Sequence, residues 1–294
     1  MSRTPQPALT DGDLSLEPTS GQGSAVGEFI GFSVQLDGDR VGTLAFRHEG
    51  RGVLSVRWNV GADALGLAVR VLRLAVAHAF TTLGAHRLEA RIPVDRTDDI
   101  RAASICGLRR EGIMRTAGDA TDRVLVARLV DDASLSSRDG FIAILNAGLP
   151  TKRIIGQGVW RDSNGRVLLC ELTYKQEWDL PGGVIEVGEA PAVGLVRELQ
   201  EELGVTVDIQ GLLTVNWLPA WRGWDDACVF VFDLGVADDD IIARMTLQET
   251  EIKDVHWCDV PTLHQRATAA TIELLDALAA APLPPYREAP RFAE

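Results

Sequence analysis

Several features are scarce in this chain of 294 residues, and each scarcity excludes a class of protein. The most apolar helical stretch, residues 64–80, is interrupted by two arginines and a histidine, so it cannot span a bilayer. The first residues, MSRTPQPALTDGD, have no apolar core and do not resemble a signal peptide. The four cysteines lie far apart without a CxxC pair, which predicts buried free thiols rather than disulfides or a zinc site. A cytoplasmic protein without a membrane partner is therefore expected.

An excess of basic charge is also lacking. The chain carries 29 Lys and Arg against 42 Asp and Glu, for a formal net charge of −13. Residues 1–130 are nearly neutral at +1, whereas residues 131–294 carry −14. A nucleic-acid scaffold would need a basic face against the phosphates, so we exclude that class. The acidic charge of the second half needs another explanation.

Length and composition predict two soluble globular domains. Strand-like alternation and one long amphipathic helix fill the first half, and a break in composition follows at DDASLSSRDG, residues 131–140. The second half alternates strands with two helices. The predicted division is a flexible N-terminal segment with one short strand (1–27), an α+β domain (28–130), a linker with a bridging helix (131–150), an α/β domain (151–281) and a Pro-rich tail (282–294).

One stretch concentrates carboxylates at helical spacing: residues 182–205, GGVIEVGEAPAVGLVRELQEELGV. On a helix, Glu198, Glu201 and Glu202 stand at i, i+3 and i+4 and share one side. Carboxylates so close repel one another unless a cation lies between them, and hard oxygen ligands suit Mg²⁺ or Mn²⁺. A Glu-x-x-Glu-Glu run alone would favour a solvated acidic helix face over a metal site. The complete spacing, from Gly183 to Val205, has a chance occurrence well below about one in a million, which excludes that alternative.

This stretch resembles the Nudix box of the Nudix hydrolases. The matching positions are Gly183, Glu189, Arg197, Glu198, Leu199, Glu201, Glu202, Gly204 and Val205. The preceding EWDLPGG and a later Trp-containing strand are similar as well, so the resemblance covers about residues 150–280. It implies an α/β/α sandwich around a mixed sheet. It also implies hydrolysis of a diphosphate linkage in a nucleoside diphosphate derivative: a nucleotide, a dinucleotide or a nucleotide sugar.

The resemblance also implies roles for individual residues. Glu198, Glu201 and Glu202 become metal ligands, with the Gly182 carbonyl as a further oxygen, and Glu189 pairs with Arg197 to fix the loop against the helix. The positions with a structural role are Gly183, Glu189, Leu199, Gly204 and Val205. A divalent ion held there would neutralise the diphosphate oxygens and lower the pKa of a bound water.

A carboxylate must accept the proton of the attacking water, and several glutamates are candidates. Glu198 and Glu201 lie within the box, and Glu249 and Glu251 lie in the downstream loop LQETEIKDV. A glutamate of the box is favoured. The predicted catalytic set is Glu198, Glu201, Arg197 and Glu251.

Aromatic and basic side chains near the box are candidate substrate contacts. Trp178, Trp221 and Trp224 could stack on a base, although burial in the sheet is the alternative. Lys175 and Arg222 are the nearest cations for a phosphate, although solvent exposure is the favoured alternative for each. The expected partner is a small phosphorylated metabolite. A homodimer is left open.

Residues 41–130 resemble the later half of a GNAT-type N-acetyltransferase. In that family a basic, Gly-rich loop binds the coenzyme A pyrophosphate at a helix N-terminus. Gly66 and Ala68 match this loop, but Asp63 stands where a cation is expected. The two tyrosines, Tyr174 and Tyr286, lie outside the domain, so it offers no phenol as a general acid. The resemblance therefore favours a degenerate, GNAT-like domain without acetyl-CoA.

Two alternatives to a metal-dependent hydrolase remain. The chain could be bifunctional, with an acetyltransferase in its first half. It could also be a non-catalytic Nudix sensor, although a sensor has no need to keep three carboxylates together.

Overall fold

A computed structural model describes residues 8–19, 27–61, 65–118, 120–221, 223–238 and 240–289. The chain divides into two compact units, Met1–Pro150 and Thr151–Glu294, each built on one β-sheet with helices. Both sheets mix parallel and antiparallel pairs, in agreement with the predicted α/β class. In the part of the chain that is described, no helix is long and apolar enough to cross a membrane.

The first unit is an eight-stranded sheet in the order β1-β2-β3-β4-β5-β6-β8-β7. Strands β5 and β6 run parallel, and the other neighbouring strands run antiparallel. The elements are β1 (Leu9–Asp11), β2 (Leu14–Pro18), β3 (Phe29–Leu36), β4 (Asp39–Gly50), β5 (Val53–Val60), α1 (Leu65–Thr81), β6 (Arg87–Pro93), α2 (Thr97–Ile105), β7 (Arg109–Met114), β8 (Arg123–Leu129) and α3 (Arg138–Gly148).

The core of this unit lies between the sheet and α1. The helix buries the apolar face that its sequence predicts, including Ala68, Leu72, Ala75 and Ala79. The predicted linker, residues 131–150, is grouped with this unit because α3 contacts β7.

Residues 8–19 of the N-terminal segment, predicted to be flexible apart from a short strand at 13–17, hold two strands. Strands β1 and β2 lie there, and β2 pairs with β3 along its whole length. Leu14 and Leu16 are fully buried because they alternate with polar residues and point into the core. Arg70 of α1 adds ion pairs to Asp11 at 2.9 Å and to Asp13 at 2.6 Å. The strand predicted at 13–17 corresponds to β2, whereas the sequence does not predict β1.

The second unit contains a sheet in the order β14-β10-β9-β13-β12-β15, with β11 paired to β9. Parallel pairs join β9 to β13 and β12 to β15. The elements are β9 (Arg153–Arg161), β10 (Val167–Leu172), β11 (Gly182–Val184), α4 (Pro191–Leu203), β12 (Gly211–Leu218), β13 (Ala227–Val236), α5 (Ile241–Arg244), β14 (Ile252–Cys258), α6 (Val260–Arg266), α7 (Ala269–Ala280) and β15 (Tyr286–Glu288).

Two apolar clusters lie on opposite faces of this sheet. Adjacent residues of β9, Val159 and Trp160, belong to different clusters, as the alternation of a strand requires. One cluster includes the leucines of α4 and the other includes those of α7. The unit is therefore an α/β/α sandwich, as predicted.

The Pro-rich tail also takes part in the sheet. Helix α7 ends at Ala280, but Tyr286–Glu288 then forms β15 beside β12. The prediction of a tail outside the domain is therefore wrong for residues 286–288. The prolines stop a helix but leave an edge strand free to pair.

The buried histidine of α1 generates a prediction on pH dependence. His78 lies between the rings of Phe32 and Phe46, with centroids 5.6 and 6.1 Å away, and burial lowers its pKa. Protonation near pH 6.5 then favours the unfolded chain, so stability is complete above that pH and is lost as the pH falls below it. We expect His78→Leu to reduce the loss of unfolding free energy between pH 7 and 5, measured by urea unfolding. The control His264→Leu, at an exposed site, should leave this loss unchanged. An equal dependence of unfolding free energy on pH in the two variants would contradict the prediction.

Candidate active site

Helix α4 presents the predicted carboxylates because its other side is apolar. Leu195, Leu199 and Leu203 are fully buried against the sheet. Pro191 occupies the first turn, and Gly204 ends the helix in the left-handed conformation at φ 70°. The helix and its stop are as the sequence predicts.

Arg197 connects the loop before the helix to the carboxylates on it. Its Nε and Nη2 donate to the two oxygens of Glu189 at 2.9 and 3.0 Å. Its Nη1 donates to Glu198 at 3.0 Å and to Glu201 at 2.9 Å. The Arg197 guanidinium, together with the Glu186 N–H, lowers the pKa of Glu189. The expected Glu189–Arg197 pair is present, and it fixes the loop onto the helix.

Two glycines allow this close approach. A Cβ on Gly194 would lie 2.5 Å from Ile185 Cδ1 and 2.6 Å from Glu189 Oε2. A Cβ on Gly183 would lie 2.5 Å from Cδ of Glu198. The loop and β11 therefore pack directly on α4 only because these positions carry no side chain.

Glu202 is the most buried carboxyl group of α4, with 7% of its surface exposed. Burial raises its pKa to about 8, and Glu198, Glu251 and Glu201 contribute in the same direction. The pKa of Glu198 is also raised by burial, although Arg197 opposes the shift. Arg197 pairs with Glu198 and Glu201 but not with Glu202. Ionised Glu202 thus lacks a compensating cation among the described residues.

The main chain brings Glu251 to this cluster from the loop before β14. Gln248 N–H donates to the Glu202 carbonyl at 2.8 Å, and Thr173 N–H donates to the Glu251 carbonyl at 2.9 Å. Glu251 is near enough to raise the pKa of both Glu198 and Glu202. Glu249, the other candidate of this loop, is not among the groups that act on these two pKa values.

Tyr174 is a residue of this cluster that the sequence prediction missed. Tyr174 is an exposed residue whose partial burial raises its pKa, with further contributions from Glu202, Asp179 and Glu251. Its position in the loop after β10 was the only available signal, and that loop meets α4 only in the folded chain.

The described residues do not hold three or more Asp, Glu, His or Cys side chains arranged around a metal position. Glu201 is 56% exposed at its side chain, and Arg197 lies between it and Glu198. The donor set itself fits a hard divalent ion, because Glu202 and its neighbours offer carboxylate oxygens and a bound cation would compensate ionised Glu202. The ligand assignment to Glu198, Glu201, Glu202 and the Gly182 carbonyl stays a prediction.

Two of the predicted substrate contacts are engaged elsewhere. Trp178 is buried, with His256 stacked on it at 4.0 Å and the Arg266 guanidinium 5.3 Å from its ring. This packing argues against a base-stacking role. Lys175 donates to Asp179 at 2.7 Å, so its charge is already paired.

The tryptophans of the β12–β13 loop are accessible. Trp221 and Trp224 form an isolated antiparallel bridge, with reciprocal hydrogen bonds of 3.0 and 2.9 Å. Trp224 is 61% exposed, and the Arg153 guanidinium lies 4.9 Å from its ring. Arg222, the other predicted cation, lies outside the described residues.

The first unit has a cavity of about 380 Å³ near the predicted coenzyme A loop. Ala68 lines it, whereas Gly66 lies in the adjacent first turn of α1 and Asp63 is outside the described residues. The charged lining residues are Asp95, Arg96, Asp98 and Asp99, and Arg96 is paired with Asp99 at 2.5 Å. This acidic lining disfavours a pyrophosphate group.

Residues 153–278 match the family model of the NUDIX domain. The chain is similar to the MutT-like protein of Streptomyces ambofaciens, at 36% identity over 66 residues, 22% of this chain and 43% of that protein. It is also similar to the 8-oxo-dGTP diphosphatase of Escherichia coli (strain K12), at 38% identity over 56 residues, 18% of this chain and 43% of that protein. The chain spans less than half the length of these two relatives.

Solved structures of two kinds are similar to parts of the chain. The MutT protein from Methanosarcina mazei Go1 matches at 22% identity and a TM-score of 0.38, covering 46% of this chain and all of that one. Mycobacterium smegmatis RimJ, in complex with CoA-disulfide, matches at 24% identity and a TM-score of 0.33, covering 41% of this chain and 60% of that one.

The contact between β11 and α4 can be tested with Gly183→Ala. We expect the new Cβ to displace the Glu198 carboxyl, while the free energy of unfolding falls by only about 1 kcal/mol because that side chain can rotate. Crystal structures and urea unfolding check both points. Gly211→Ala, which has open space around its Cβ, is the matched control. An unmoved Glu198 in Gly183→Ala would contradict the close approach.

Proposed function

We propose that the chain is a hydrolase of phosphorus anhydrides that cleaves the diphosphate linkage of a nucleoside diphosphate derivative with Mg²⁺ or Mn²⁺. The observation that supports this most is the burial of Glu202, on the predicted Nudix helix, beside Glu198 and Glu251. Ionised Glu202 would be stabilised there by a bound cation. The names of the matched relatives, 8-oxo-dGTP diphosphatase and RNA pyrophosphohydrolase, support the same bond class.

In this proposal Glu198, Glu201 and Glu202 hold the divalent ion, with the Gly182 carbonyl as a further ligand. A bound ion supplies charge neutralisation on the diphosphate and a more acidic water. The water oxygen forms a bond to one phosphorus, and the bridging oxygen leaves with the other phosphate. Arg197 holds the helix and the loop in register through Glu189.

The proton of the water requires a carboxylate that is not already engaged. The sequence favours Glu198 or Glu201, but both accept a hydrogen bond from Arg197 and both are assigned to the metal ion in this proposal, so their oxygens are already engaged. Glu251 accepts no side-chain hydrogen bond from the described residues. Its charge raises the pKa of Glu198 and of Glu202, so it belongs to the same cluster of carboxyl groups. We therefore assign the proton acceptor to Glu251.

The substrate in this proposal is a small phosphorylated metabolite, with cleavage in the cytoplasm. Trp224 is the best placed aromatic contact for a base, because it is exposed and lies beside Arg153. Incubating the full chain with Mg²⁺ and nucleoside triphosphates, dinucleotides, nucleotide sugars or ADP-ribose, and following phosphate products, would identify the class. No hydrolysis of any member would overturn the proposal.

Removing a predicted ligand should abolish metal-dependent hydrolysis. We expect Glu201→Gln and Glu202→Gln each to lower kcat/KM on the order of 100-fold or more, because several kcal/mol of transition-state stabilisation depends on the ion. Glu186→Gln is the matched control, since it removes the same charge from an exposed side chain of the same box. Full activity in Glu201→Gln or Glu202→Gln would contradict the ligand assignment.

A further inference from the structure

The segment before β11 is anchored by one carboxylate. Oδ2 of Asp179 accepts a hydrogen bond from Lys175 Nζ at 2.7 Å. Its Oδ1 accepts from Thr271 Oγ1 at 2.7 Å, from the Leu180 N–H at 3.0 Å and from Gln157 Nε2 at 3.2 Å. These donors belong to β9, to the loop and to α7, so one side chain ties the loop to both elements.

The main chain is held at the same point. Asp179 and Cys170 exchange hydrogen bonds of 2.8 and 3.1 Å, which fasten the loop to β10. Trp178 N–H donates to the Arg266 carbonyl at 2.8 Å, and Thr268 N–H donates to the Trp178 carbonyl at 3.2 Å. Residues 178–179 are thus fixed to the sheet and to the start of α7.

The chain reaches the candidate metal site three residues later. Pro181 accepts a hydrogen bond from the Gly158 N–H at 2.9 Å, and Gly182 and Gly183 then pair with β9. Gly183 lies directly against the Glu198 carboxyl. The two glycines have no side chains with which to anchor themselves, so their position depends on neighbouring residues.

We propose that Asp179 is a positioning residue of the hydrolytic site. It holds residues 180–183 so that the Gly182 carbonyl and the Glu198 carboxylate face the same ion. This inference rests on the proposed function. Lys175 serves as the counter-ion of Asp179 in this arrangement, and it does not bind the substrate phosphate.

The test measures Mn²⁺ binding without substrate, from the free-Mn²⁺ signal in electron paramagnetic resonance, alongside steady-state kinetics of the full chain. The Asp179→Asn side chain carries an amide NH2 in place of one carboxylate oxygen. Either Lys175 or Thr271 then faces this N–H donor, and Lys175 loses its charged acceptor. We expect Mn²⁺ affinity to fall about 10-fold, the magnitude typical of groups that orient metal ligands. We also expect kcat to fall while KM stays within about twofold, since the substrate contacts are untouched.

Asp162→Asn is the matched control. Asp162 is buried, whereas Asp179 is half-buried, and Asp162 likewise accepts several hydrogen bonds: from Arg166 Nε at 2.7 Å and from the Arg166 and Asn164 N–H groups at 2.8 and 3.0 Å. It lies in the turn after β9 and has no hydrogen bond to residues 178–183 in the part of the chain that the structure describes. We expect it to lose stability in urea unfolding as Asp179→Asn does, but to bind Mn²⁺ like the wild type.

Thr271→Val keeps the test valid if Asp179→Asn fails to fold. It removes one donor to Asp179 without changing a charge, and we expect Mn²⁺ affinity to fall about threefold. Unchanged Mn²⁺ affinity in the folded variants, beside a wild type that binds Mn²⁺, would overturn the role of Asp179 alone. A wild type that binds no Mn²⁺ would instead overturn the proposed metal site, and one that binds Mn²⁺ without hydrolysing any substrate would overturn the proposed reaction.

Discussion

The crowding of carboxylates on one helix is the constraint on which the second unit depends. Glu198, Glu201 and Glu202 share a side of α4 with Glu251 nearby, and Glu202 is almost completely buried. Such a group is unfavourable when ionised unless a cation compensates it. Arg197 compensates the outer carboxylates but not Glu202. Ionisation of Glu202 is therefore unfavourable in the fold by itself. Such perturbed pKa values are common at functional sites.

Close backbone approach is the second requirement, and it explains the glycines of the box. Gly183 and Gly194 let β11 and the loop contact Glu198 and Glu189 without an intervening side chain. Asp179 then sets where that backbone begins, because it binds β9 and α7 at once. The carboxylates of α4, the two glycines and Asp179 therefore all help to position the short segment around β11.

The first unit has a cavity lined by three aspartates, Asp95, Asp98 and Asp99, and by Arg96, which is paired with Asp99. Part of the acidic excess of the second unit forms a candidate cation site. Residues 1–130 are nearly neutral, and the acidic charge there is local: it lines a cavity in which a phosphate group is disfavoured.

The sequence by itself determined α4, its end at Gly204, the shared carboxylate side and the Glu189–Arg197 pair, because these depend on spacings within one helix and its adjoining loop. Only the tertiary structure decided that Trp178 is buried under His256 and that Glu251 joins the cluster. It also decided that residues 286–288 form a strand beside β12. Each of these depends on a partner distant in the chain, and a single sequence does not specify which distant surfaces meet.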